Sequence, residues 1–386
     1  MGRPVLRTRL CDELGIEYPI LSAGMGPNLI SEPVGAPVDL VVAVSEAGGL
    51  GVLGGSGYSL RELRDAIAEI KARTNKPFGV DLLLPKNLMQ GQGLSGEEDI
   101  PLAEVLKLLP EEHQAWFNKI RAELDLPELD PNLTVKTDST TMRPKEAVAI
   151  CIEEGVPLFC AGLGDPAWMV EDAHAAGIKV LGITGNAKNA KRIAAGGADY
   201  VVAQGHEGGG HTGRVGTMAL IPQAIDAAAP TPVLGAGGIG DGRGVAACLA
   251  MGCAGVWVGT RFLATIEGGA SDICKRRILE STDEDTRVSR LYTGKTSRAN
   301  VSRFHELWDA SGLEALPFPL QVLLSSALLD CFVRGGKEEY VGGFAGQISG
   351  LIHDIKPAGE VLMDMVTQTV DILKNRLPRD VEVSEG

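Results

Sequence analysis

No run of lysine or arginine in the chain is longer than three residues. That gap, joined to a formal charge of −14 and an isoelectric point near 5.0, argues against nucleic acid and anionic membrane surfaces as partners. No apolar run is long enough to span a bilayer. Behind Met1 there is no apolar core of the kind a signal peptide needs, and Leu6 breaks the pattern that would make Gly2 a myristoylation site. Seven cysteines, an odd number without any C-x-x-C pair, disfavour a disulfide frame or a zinc site. They point instead to buried thiols in a reducing compartment, with the cytoplasm as the expected location. What is present is 386 residues with enough apolar content for one large α/β domain and an appendage.

The most informative stretch is Ala203-Gln204-Gly205-His206-Glu207-Gly208-Gly209-Gly210-His211. An apolar run gives way to a loop nearly stripped of side chains, which then presents one imidazole. Such a loop can lie against a flat ligand. Downstream, Pro232–Gly240 and Gly255–Phe262 are two apolar strands ending in glycines that expose backbone N–H groups, an arrangement suited to a phosphate.

A weak internal repeat organises the first two thirds of the chain. Each copy is a helix ending in Ala or Gly, a short apolar strand, and a loop of small residues: Glu46–Gly54, Glu154–Ala161, Ala176–Thr184, Ala195–Ala203 and Met251–Gly259. Continuous apolar strands are buried on both faces, as in a parallel sheet. With Pro19–Ser22, Phe78–Leu84 and Pro232–Ala236 the strands number eight, and helices are expected at Ser59–Ala72, Pro144–Glu154, Ala187–Ala195 and Gly244–Ala250, Ser59 serving as an N-cap. Eight βα units point to an α/β fold of the closed (β/α)8 TIM type, whose function sits in the loops after the strands. The count alone leaves an open doubly wound sheet as the alternative.

Two regions depart from the repeat. Lys86–Met142 is charged and loop-like, reading as an insertion after the third strand with a short helix pair at Leu102–Leu109 and Glu111–Leu124. From Glu267 onward the pattern is helical, so residues 1–266 read as the barrel, 267–354 as a mainly helical cap and 355–386 as a tail whose amphipathic Pro357–Leu377 stretch packs back on the barrel. The far wall of the pocket is expected from the cap, around Tyr292–Phe304 and Phe318–Phe332.

Each candidate motif has a blander reading beside it. His206 and His211 are five apart with glycines between, so they cannot share one helical face as zinc ligands do, and no metal is expected. Gly235-x-Gly237-x-x-Gly240 matches a dinucleotide fingerprint, but the next strand ends in Gly259-Thr260 where an acidic residue for the ribose belongs. Two adjacent strand ends sharing one phosphate fit better; tight turns alone are the other reading. His211 is the candidate catalytic residue because histidine exchanges a proton near neutral pH and its flanking glycines leave it open. His174, His206, His305 and His353 are read as structural or surface residues, Cys160 and Cys248 as core, and Glu207 as a structural hydrogen-bonding partner.

The series Pro19–Met25, Phe78-Gly79-Val80-Asp81, Gln204–His211, Gly237-Gly238-Ile239, Gly259-Thr260-Arg261-Phe262 and Ala345-Gly346-Gln347 resembles the nitronate monooxygenase family, formerly the 2-nitropropane dioxygenases. The resemblance implies a barrel carrying non-covalent FMN at the C-terminal ends of its strands, with a helical cap from the tail. It places Ala23, Gly24 and Met25 against the isoalloxazine, Asp81 and Gln204 in hydrogen bonds to the flavin or its ribityl chain, and Gly209 where the ring approaches. Gly237, Gly238, Val258, Gly259 and Thr260 would hold the phosphate region, and His211 would be the base. The implied reaction is oxidation of an alkyl nitronate by dioxygen to a carbonyl compound and nitrite.

Two positions depart from the family pattern. Family members usually have Asn where this chain has Asp81, and a carboxylate there would disfavour the negative charge of a reduced flavin. A lysine that some members carry in the fifth strand falls here at or beside Gly182. A flavin-dependent enoyl-thioester reductase using NADH or NADPH is the alternative activity, and a flavin- or phosphometabolite-binding barrel without turnover is the third. Expected partners are a nitronate or nitroalkane and dioxygen, with a homodimer held open.

Overall fold

The computed structural model describes residues 3–26, 34–86 and 98–383. Its centre is a sheet of eight parallel strands: β1 (Ile20–Ser22), β2 (Gly51–Gly54), β3 (Phe78–Leu83), β4 (Leu158–Leu163), β5 (Lys179–Thr184), β6 (Tyr200–Gln204), β7 (Val233–Ala236) and β8 (Gly255–Val258). Neighbours in space follow the order in sequence, and β8 returns to pair with β1 through Ile20 opposite Val256. Ser22 N–H donates to Leu50 O at 3.0 Å and Leu50 N–H to Ile20 O at 3.1 Å, joining β1 to the start of β2. The sheet is therefore closed. That excludes the open doubly wound alternative and gives the TIM-type barrel.

Strand alternation divides the apolar residues into two cores. Leu21, Val52, Leu158, Leu181, Val202 and Trp257 fill the barrel, while Leu53, Val80, Phe159, Val201, Val256 and Val258 face the surrounding helices. The helices lie close to the expected positions. Leu60–Arg73 begins with Ser59, whose hydroxyl accepts from Glu62 N–H while Glu62 Oε2 accepts from Ser59 N–H, a reciprocal cap. Helices at Pro144–Glu153, Ala187–Ala195 and Gly242–Ala250 follow, the last capped by Asp241 and starting two residues earlier than its apolar pattern suggests.

The stretch after β3 and the stretch after β8 meet. Helices Leu102–Leu106 and Glu111–Glu123 share one apolar cluster with Arg303–Ser311 and Leu320–Arg334, centred on Trp116, which stacks on Phe304 at 6.4 Å and meets Trp308 edge-on at 5.3 Å. Residues 87–97 of the expected insertion and 384–386 of the tail lie outside the described residues. The cap also contains strands that the sequence pattern does not suggest. Thr286–Ser289 and Ser297–Asn300 pair antiparallel, and the second pairs with Gly210–His211. The terminal helix Ala358–Asp371 returns to the barrel, burying Leu362 and Val366, with Gln368 Oε1 accepting from Gly242 N–H at 3.1 Å. All seven cysteines are buried and free, and among the described residues no helix is long and apolar enough to cross a membrane.

Candidate active site

At the C-terminal ends of the strands lies a cavity of ≈ 230 Å³. One water needs roughly 10–15 Å³ on the same measure, so this is a space on the scale of a ligand. Its floor is the barrel interior and its walls are the loops after β1, β3, β6, β7 and β8.

The loop after β7 carries Gly237 and Gly238 at φ +85° and +75°, a conformation that L side chains rarely adopt. Beside it, the turn after β8 places Gly259 and Thr260 at the start of the short helix Thr260–Leu263. Thr260 Oγ1 accepts from Gly346 N–H at 2.9 Å, so a cap segment crosses above the two strand ends. Consecutive glycines in such turns present peptide N–H groups to an anion.

The 205–211 loop is held at several points. Glu207 accepts from Thr217 N–H at 2.9 Å and from its hydroxyl at 2.9 Å, placing a carboxylate at the N-terminus of the helix Thr217–Ala228. Thr217 sits so close to Gly205 that no side chain fits there. His206 Nδ1 lies 2.7 Å from Gly213 O, and Gln204 Nε2 donates to His211 O at 2.8 Å. Gly209 touches the cap: a Cβ on it would fall 2.7 Å from the carbonyl carbon of Ala345.

His211 closes the loop as half of a short strand, registered opposite Ser297. Its Nε2 stands 3.1 Å from Thr293 Oγ1, and its ring lies 6.4 Å from that of Phe344. Burial, assisted by the positive charge of Lys295, lowers its pKa to about 4, so the imidazole is neutral at physiological pH. A neutral imidazole in a cavity can accept a proton.

Of the residues singled out in the sequence, Ala23, Gly24, Met25, Asp81, Gln204, Gly209, His211, Gly237, Gly238, Gly259 and Thr260 all line this one cavity. Val258 does not. Its neighbour Trp257 holds the inward position on β8, so Val258 points outward and buries in the apolar layer under the helices. Its carbonyl still accepts from Ala23 N–H at 2.8 Å. The far wall also differs from expectation. Phe344, Gly346 and Ile348 form it, while Tyr292 packs edge-on behind Phe344 at 5.6 Å. Trp257 lies in the strand run that the sequence marks, but nothing in that run says which of Trp257 and Val258 points inward; Phe344 had only its nearness to Ala345-Gly346-Gln347. Of the other histidines, His174 pairs with Asp199 at the surface, His305 is buried in the cap, and His353 is exposed.

A second cavity of ≈ 330 Å³ adjoins the first across Gln204 and His211 and is bordered by Thr184, Asn186 and Lys295. The Lys295 ammonium lies 5.5 Å from the centre of the Phe318 ring.

A closed barrel with a glycine cradle and one neutral histidine at the C-terminal ends of its strands defines a TIM-type barrel with a site suited to a phosphate-bearing ligand. Comparison with known proteins gives the family. The nitronate monooxygenase family model matches residues 7–368, and the chain belongs to that family. A probable nitronate monooxygenase of Staphylococcus haemolyticus is 32% identical over 88% of this chain and 90% of its own. Among solved structures, nitroalkane oxidase from Streptomyces ansochromogenes superposes with a TM-score of 0.75 at 26% identity, covering 94% of this chain and 98% of that one. FabK from Thermotoga maritima gives 0.73 at 29%, covering 98% and 100%.

Proposed function

We propose that the protein is an FMN-dependent nitronate monooxygenase that converts alkyl nitronates and dioxygen to carbonyl compounds and nitrite. The observation that carries this reading is the meeting of a glycine cradle and a neutral histidine on one cavity. The residues fit the cofactor. Gly237, Gly238, Gly259 and Thr260 would hold its phosphate, Ala23, Gly24 and Met25 would lie against its ring, and Asp81 and Gln204 would hydrogen-bond it. FMN bound there would supply the redox chemistry that links the substrate to dioxygen.

The chain's own part is binding and proton management. A nitronate is already carbanion-like and needs no base. A neutral nitroalkane must first lose its α-proton, and His211 is the group in the cavity able to take it, through whichever ring nitrogen Thr293 leaves open. With Nε2 beside Thr293, that nitrogen is Nδ1. Phe344 and Ile348 give the cavity an apolar wall on the side of the cap. The buried thiols support a reducing compartment, the cytoplasm.

The test is His211→Asn in protein that retains FMN. Turnover of a neutral nitroalkane is expected to fall roughly 100-fold or more, with nitronate turnover much less affected. Unchanged nitroalkane turnover would remove His211 as the base. The adjoining cavity beside Lys295 favours a second reading, in which a nicotinamide nucleotide reduces the flavin for an enoyl-thioester reductase. Anaerobic mixing with NADH or NADPH separates the two: rapid bleaching of the flavin supports the reductase.

A further inference from the structure

Asp81 stands on β3 with its carboxyl inside the mouth of the barrel. β2 and β4 flank it at Gly54 and Cys160. Gly24 and Gly162 close over the side chain: a Cβ on Gly24 would collide with it, and one on Gly162 would lie 2.7 Å from Oδ1. The residue is only 8% exposed, and Oδ1 has no hydrogen-bond partner although it borders the cavity.

Little around it could compensate a negative charge. The segment after β1 and the end of β2 present glycine, Gly24 and Gly54. β4 presents the Gly162 N–H, the one group that favours ionisation, and the Cys160 thiol, which burial itself keeps protonated. The other titratable side chains on the cavity are Glu207 and His211, and among the described residues no lysine or arginine lines it. A carboxylate would be both desolvated and unpaired there, whereas a carboxylic acid hides its charge and needs only an acceptor for its proton.

We propose that Asp81 works as a protonated carboxylic acid and that its O–H is a hydrogen-bond donor to the ring system bound in this cavity. Burial pushes the carboxyl well above the usual carboxylate range, in the same direction. The donor role rests on the flavin reading; the protonation state does not. A neutral donor changes what the departure from Asn means. It can do what an amide N–H does, stabilising negative charge that collects on the ring, where a carboxylate would oppose it.

Infrared difference spectroscopy of the full chain tests the protonation state without cofactor. At neutral pH the parent protein should show a protonated-carboxyl C=O band that Asp81→Asn lacks, and the band should shift when FMN is added. A parent protein without that band, or a band that survives in Asp81→Asn, overturns the assignment. The donor role is read from FMN itself. Asp81→Asn should keep FMN affinity within about threefold and leave the reduction potential at neutral pH almost unchanged, while Asp81→Ala should bind FMN roughly tenfold more weakly. Equal losses in the two variants overturn the donor role, as does a marked rise in potential in Asp81→Asn, since that is the mark of a removed carboxylate. A protein that shows the band yet takes up no FMN sinks the flavin reading and the donor role together, while supporting the buried acid.

Discussion

His211 Nε2 and the hydroxyl of Thr293 stand 3.1 Å apart, joining the glycine loop after β6 to a turn of the cap 82 residues later. Thr293 Oγ1 also lies 3.3 Å from Lys295 O, a carbonyl that can only accept. If its own proton is directed there, the hydroxyl accepts from Nε2–H and the imidazole lone pair resides on Nδ1. In that arrangement Thr293 is a positioning residue that fixes the tautomer of the base.

Thr293→Val removes that selection without removing the imidazole. Turnover of a neutral nitroalkane should fall roughly tenfold, the equivalent of one hydrogen bond's ~1.4 kcal/mol, while kcat/KM for the preformed nitronate changes little. Stopped-flow or nitrite assays with both substrate forms check the split. Thr293→Ser should restore most of the loss, because it keeps the hydroxyl. Equal losses on both substrates would mean that the contact only supports the fold.

The pH dependence follows from the same imidazole. His211 must be neutral to accept a proton, and its pKa is lowered to about 4, first by burial and then by Lys295. kcat/KM for freshly diluted neutral nitroalkane should therefore rise with pH through about 4 and be level above about 6, well before an ordinary histidine near 6.5 would finish titrating. Lys295→Met removes the smaller of the two causes, so the acid limb should move modestly to higher pH. A limb at 6.5 in the parent enzyme contradicts a buried His211.

Glu207 offers a separate test of the loop. Its carboxylate accepts two hydrogen bonds from Thr217 at the head of a helix, and its own carbonyl accepts from Gln347 N–H at 3.0 Å. Glu207→Ala leaves the Thr217 N–H without its acceptor and the hydroxyl with Gly237 O, 2.9 Å away, as its remaining one, a loss of about 1–3 kcal/mol. FMN affinity, followed by quenching of flavin fluorescence, should weaken roughly tenfold or more. Glu207→Gln keeps an acceptor and should lose markedly less.

The barrel was legible because each βα unit is punctuated: a small residue ends the helix, an uninterrupted apolar run makes the strand, and glycines follow. Side-chain direction at the strand ends was harder. The run Val256-Trp257-Val258 names the right strand end, but only the pairing of Leu21 with Trp257 shows that Trp257 points in and Val258 out. The cap hairpin at Thr286–Ser289 and Ser297–Asn300 was not legible at all. Its residues are largely polar and carry no apolar alternation, and the second strand gains its other partner only because Gly210–His211 arrives from the barrel. The far wall failed for a related reason. Tyr292, Phe304 and Phe332 look like pocket aromatics in sequence, yet they pack edge-on in a row and leave Phe344 to face the cavity.

That wall makes the last prediction. Gly209 on the loop and Gly346 on the cap pass with no room between them: a Cβ on Gly209 would lie 2.8 Å from Gly346 N, and a Cβ on Gly346 would lie 2.7 Å from Glu207 O. Gly209→Ala must therefore push the two segments apart, at about 1–3 kcal/mol for an overpacked contact, and should lower both Tm and FMN affinity. Gly210, one residue on, is the control. It has a φ of +69° and nothing within 4 Å of its Cβ position, so its constraint is backbone conformation and not space. Asn tolerates that conformation better than other side chains, so Gly210→Asn should bind FMN nearly as the parent does. Thermal melts and FMN titrations of the two variants decide whether contact between loop and cap, more than loop flexibility, holds the site together; equal tolerance of both substitutions would show that the two segments separate freely.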